Sequence, residues 1–136
     1  MINTDPSFLW VHLSVSGIFV IMGLHLIFNP PKDLNTLDIL KIPISSIARL
    51  NMDTWTDFHV YSGKMMVICG SVGFVVSLLL NYLISLSELS SDKIEGLNFV
   101  LLLITGYSMM LTTLHYTQKH MSKTFDKNGN RKEKSP

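Results

Sequence analysis

Three stretches of this chain run apolar without a single Asp, Glu, Lys or Arg, and the charged residues fill the gaps between them. They cover residues 8–28, 65–86 and 97–115. Twenty-one residues of helix extend about 32 Å, which matches a hydrocarbon core of about 30 Å. The first stretch holds thirteen Leu, Ile, Val or Phe residues, which together contribute on the order of −4 to −8 kcal/mol towards insertion. Asn29-Pro30-Pro31 ends it, because proline cannot continue the helical hydrogen-bond ladder. The second stretch has twelve such residues and the third nine. Thr105, Tyr107, Ser108, Thr112 and Thr113 in the third predict that this helix packs polar groups against its neighbours. The pattern predicts an all-α membrane protein, a single domain over 1–136 with three transmembrane helices.

Orientation follows from the basic residues. The segment before the first span has none, the connection 29–64 has Lys32, Lys41, Arg49 and Lys64, and the connection 87–96 has only Lys93. The tail 117–136 carries Lys119, Lys123, Lys127, Arg131, Lys132 and Lys134. Ten of the eleven therefore fall on one side of a three-span topology. The positive-inside rule then places the N-terminus and the 87–96 loop outside, and the 29–64 loop and the tail inside.

The inner connection is unusually apolar. A short interfacial helix is expected from Thr36 to Lys41, capped by Asn35 and stopped near Pro43, or else a segment tucked under the bundle. The second helix is expected to start before the membrane, with Asn51 or Asp53 as N-cap and a cytosolic stub of about three turns. On that stub Trp55, Phe58, His59, Ser62 and Met66 recur at helical spacing and share a face, while Asp57, Tyr61 and Lys64 lie elsewhere. Gly63, Gly70, Gly73 and Ser77 form a stripe of small residues that serves close packing within the chain or a homo-oligomer seam. The tail is expected to continue the third helix and to loosen at Asn128-Gly129, with its lysines over anionic lipid headgroups.

Composition agrees with this reading: 15% of residues are charged, where a soluble domain carries about a quarter. The single cysteine, Cys69, excludes an internal disulfide. With no Lys or Arg ahead of it, the first span reads as retained and not as a cleaved signal. No carboxylate pair lies within the spans, and no phosphate-binding glycine loop or nucleophile motif is present, so no enzyme, no cofactor, no metal and no nucleic-acid partner is expected. The alternative for cofactors is a haem or transition metal held by His25 with His115, or by Cys69, with His59 just below.

The run Asn51-Met52-Asp53-Thr54-Trp55, then His59, then Ser62-Gly63-Lys64 leading into an apolar span, resembles the SdpI/YhfL family of bacterial membrane immunity proteins. The ending Tyr116-Thr117-Gln118-Lys119-His120 with Thr124-Phe125-Asp126-Lys127-Asn128-Gly129 is similar to that family's as well. Met52 stands where the family commonly has an acid, and no Gly-x-Arg-Thr-like element precedes Asn51. The resemblance implies a multi-pass protein of the bacterial cytoplasmic membrane that gives immunity to, or responds to, a secreted antimicrobial peptide, with signalling to a membrane or cytosolic protein partner. Its motif residues would be Asn51, Asp53, Thr54, Trp55, His59, Ser62, Gly63 and Lys64. Glu88, Asp92 and Glu95 on the outer loop would attract a basic peptide. The alternative is a small accessory or regulatory subunit of a larger membrane complex.

Overall fold

The computed structural model describes residues 6–32, 46–86 and 90–132. Helix α1 spans Pro6–Phe28, a 3-10 turn covers Ser46–Arg49, α2 spans Met52–Ser85 and α3 spans Ser91–Thr124. All three helices are long and apolar enough to cross a membrane. Helices α2 and α3, at 34 residues each, are about 51 Å long, so each exceeds a bilayer core by about 20 Å. The excess of α2 is its first three turns and that of α3 its last, and the two project from the same end of the bundle. The interfacial helix expected at Thr36–Lys41 lies outside the described residues, as does Glu88.

Two elements extend further than the pattern predicted. The connection expected over 87–96 is shorter, because residues 91–96 are already helical: Ser90 holds an extended N-cap conformation, its carbonyl accepts from the Lys93 and Ile94 amides, and Asp92 sits in the first turn. A carboxylate there complements the helix dipole. The tail does not loosen at Asn128-Gly129. Beyond Phe125 it folds into a turn in which the Asp126 carboxylate accepts the amides of Asn128 and Asn130, at 2.8 and 2.9 Å. Gly129 takes φ +80, a conformation only glycine adopts freely, and Phe125 and Arg131 pair antiparallel.

Helices α1 and α2 pack tightly on the small-residue stripe. A methyl group on Gly63 would come within 2.6 Å of the Gly23 carbonyl oxygen, and one on Gly70 within 2.8 Å of the Ser16 carbonyl oxygen. The stripe is therefore covered by α1 within one chain, with Gly23 as its counterpart. Gly73 instead faces α3, where a methyl group would meet the Met109 sulfur at 2.7 Å. At the far end from the tail, His12 Nε2 donates to the Asn98 carbonyl at 3.2 Å and ties α1 to α3.

The interior is inverted relative to a soluble bundle. Mid-bundle burial is largely of small polar groups such as Ser16, Ser77 and Thr113, while Ile21, Val75, Leu79 and Leu103 point outwards. A lipid bilayer would accommodate those apolar faces. The one apolar core cluster of the described residues, Ala48, Phe58, Met121 and Phe125 with Ile47 against it, lies at the projecting end.

Candidate functional site: a clasp between the second helix and the tail

The projecting ends of α2 and α3 fold together into a module. Asn51 begins it: its side-chain oxygen accepts the Thr54 amide at 2.9 Å, and the Thr54 hydroxyl accepts the Asn51 amide at 3.2 Å, a reciprocal cap that satisfies two orphan donors. The same hydroxyl lies 3.3 Å from the Ala48 carbonyl and ties the 3-10 turn to the helix start. The remaining polarity of Asn51 reaches the tail, where Nδ2 donates to the Gly129 carbonyl at 3.1 Å.

Beside that link stands an ion pair. Arg131 donates through Nε and Nη2 to the two carboxylate oxygens of Asp53, at 2.9 and 3.0 Å, and its Nη2 also lies 3.5 Å from Asp57. Asp53 and Asp57 are one helical turn apart, so a single guanidinium can reach both. The guanidinium rests over the Phe125 ring, 5.1 Å from its centroid. Its hydrogen bonds hold the Asp53 carboxyl below the usual carboxylate range, and Asp53 in turn raises Arg131. Asp57 accepts from His120 Nε2 at 2.7 Å, and the His120 ring stacks on Tyr61 at 3.8 Å and 5°.

The apolar cluster adjoins Trp55 and His59, both fully buried, through the Phe58 ring, whose centroid is 5.3 Å from that of His59. His59 Nδ1 donates to the Trp55 carbonyl at 2.8 Å, and the two rings meet edge-on at 4.3 Å. Burial pushes the His59 imidazole below its ordinary value, only partly opposed by that hydrogen bond. His59 Nε2 and Trp55 Nε1 have no hydrogen-bond partner among the described residues. Where the module meets the bundle, the Ser62 hydroxyl donates to Thr117 at 3.2 Å.

Of the eight motif residues predicted on α2, the structure brings Asn51, Asp53, Thr54, Trp55, His59 and Ser62 into this module. Gly63 turns to α1, and Lys64 is exposed. Asp92 and Glu95 are exposed at the opposite end of the bundle. His25 and His115 are exposed, Cys69 is buried on α2, and no group of three or more His, Cys, Asp or Glu among the described residues is placed to hold a metal ion. Arg131, His120 and Asp57 were missed as site residues. The i, i+4 spacing of Asp53 and Asp57, with an arginine in an otherwise lysine-rich tail, was the signal that could have found them.

The fold and this end module together define an all-helical chain with three helices long and apolar enough to cross a membrane and a clasped end module. No family model, no curated protein and no solved structure matches the sequence.

Proposed function

We propose that this chain is a multi-pass protein of the bacterial cytoplasmic membrane that protects against, or responds to, a secreted antimicrobial peptide, with the clasped module on the cytosolic side as the part read by a protein partner. The observation that carries the reading is that the two stretches resembling the SdpI/YhfL family, 78 residues apart at Asn51 and Gly129, are bonded to one another. Short sequence resemblances that arise by chance have no reason to be mutual partners in space. The charge distribution supports the orientation: ten of the eleven basic residues then lie inside. The acidic end with Asp92 and Glu95 faces outwards, where it draws cationic amphipathic peptides.

The accessory-subunit reading has less behind it, because the glycine stripe that would dock on a larger complex is occupied by α1. Expression in a toxin-sensitive cell tests the proposal. The protein raises the inhibitory concentration of at least one cationic peptide from a panel, and neutralising Glu88, Asp92 and Glu95 lowers that protection. Unchanged sensitivity to every peptide, with the protein present in the membrane, would refute the reading.

A further inference from the structure

Between α2 and α3 the bundle opens into a cleft of about 520 Å³, walled by Met65, Cys69 and Val76 on one side and Ser108, Thr112 and Tyr116 on the other. That volume falls within the range of small-ligand sites. The walls are mainly hydrocarbon, and the cleft lies between two helices long and apolar enough to cross a membrane, so what enters it must be apolar.

The tail end of the cleft has a different chemistry. On α3 the face that carries Thr112 and Tyr116 continues at helical spacing through Lys119 and Lys123, both exposed. On α2, Tyr61 lies one turn before Met65, and its ring stacks on His120, which bridges the two helices just beyond the cleft. The carboxylates around this end are already engaged: Asp57 by His120 and Arg131, Asp53 by Arg131, and Asp126 by the amides of Asn128 and Asn130. Among the described residues neither Lys119 nor Lys123 has an ion-pair partner. Lys64, adjoining Met65, adds a third exposed cation. An apolar slot inside the bilayer that ends in uncompensated positive charge at the headgroup level complements one kind of molecule.

We propose that the α2–α3 cleft binds an anionic phospholipid, with an acyl chain between Cys69 and Thr112 and the phosphate held by Lys119 and Lys123. This inference needs only a membrane-embedded chain and does not depend on the peptide-immunity reading. Two surface cations each contribute about fivefold to the attraction of an anionic headgroup, so removing both lowers retention about 30-fold.

The test reconstitutes the full chain in nanodiscs of phosphatidylglycerol or of phosphatidylcholine with the same acyl chains, releases it into mild detergent and counts retained lipids by native mass spectrometry. One phosphatidylglycerol per chain is expected, with phosphatidylcholine retained far less. Lys119→Ala with Lys123→Ala should lose the lipid by about 30-fold. Thr112→Trp, which fills the slot without touching the cations, should lose it too, with helical content checked by circular dichroism. Equal retention of both lipids overturns the proposal. So does retention that neither variant alters, or a lipid-free dimer that Thr112→Trp dissociates, which would make a second copy the occupant.

Discussion

Truncating Phe125 tests whether the clasp is held by its apolar core or by its ion pairs. Phe125 is 1% exposed and packs with Ala48, Phe58 and Met121. Phe→Ala at such a site costs about 3–5 kcal/mol. The polar ties are weaker. Arg131 and Asp53 are each more than half exposed, at 55% and 57%, and exposed pairs contribute at most about 1 kcal/mol. Opening of the strap over 125–132 can be followed by hydrogen exchange at the amides of Gly129 and Lys132, which donate to Asp126 and Thr124 within the folded turn. In Phe125→Ala, protection of these amides should fall by about 10²-fold or more, while Arg131→Ala lowers it about fivefold. The spans should keep their helical content in both. If Arg131→Ala opens the strap as far as Phe125→Ala, or if Phe125→Ala leaves protection unchanged, the core is not what holds the module.

Alanine at Gly23 or Gly63 should separate α1 from α2, because the new methyl meets backbone oxygen at 2.6 Å. A cost of about 1–3 kcal/mol is expected as a lowered unfolding midpoint in detergent, whereas Gly106→Ala, with nothing within 4 Å, should be neutral or better. His59 is held neutral by burial, so its folded pKa lies below the unfolded value. The stability it confers is fully present above about pH 6.5 and declines as pH falls from there towards its folded pKa. Asp53 adds a second loss only below the ordinary carboxylate range. Acrylamide quenching of Trp55 in a Trp10→Phe background should therefore rise between pH 7 and 5, and His59→Gln should flatten that rise. Trp55→Ala, which removes a fully buried ring, is expected to cost about 3–5 kcal/mol and to lower membrane levels of the folded protein. Loss of peptide response at normal levels would instead make Trp55 a contact residue.

The three long helices were legible because lipid imposes one strong demand on sequence, an apolar run free of charge, and residues 8–28, 65–86 and 97–115 meet it. The start of α2 was legible for a local reason: a short Asx side chain caps a helix, and of the two candidates, Asn51 and Asp53, the structure uses Asn51. The face of Trp55, Phe58, His59 and Ser62 was legible from helical spacing, and all four are buried. What covers that face was not. Asp126, Asn128 and Gly129 spell a turn, but a turn in a lysine-rich tail reads equally as a loose end, and local chemistry does not say what the strap beyond it packs against. Arg131 read as one more cation on the basic side, because local chemistry does not say that the strap closes 78 residues back onto Asp53. Gly23 was passed over for a similar reason. A lone glycine in an apolar run has no partner on paper until α1 is laid against Gly63.

The distribution of tight and loose contacts says which part can move. Helices α1 and α2 meet backbone to backbone at Gly23 and Gly63, where neither can shift without collision. Helix α3 touches α1 little and parts from α2 along the cleft. It is fastened near its ends, by the Asn98 carbonyl to His12 at one and by Thr117, His120 and the strap at the other, and between them Met109 packs on Gly73. A helix pinned at two ends transmits a displacement as a rigid rod, since its own hydrogen bonds are stiffer than its lateral contacts. Disturbance at the end bearing Asp92 and Glu95 is therefore expected to reach the clasp, where the fastening most exposed to water is Arg131 with Asp53. Fixing α3 to α2 by a cross-link across the cleft should abolish any response of the strap to events at that far end while leaving the strap itself closed.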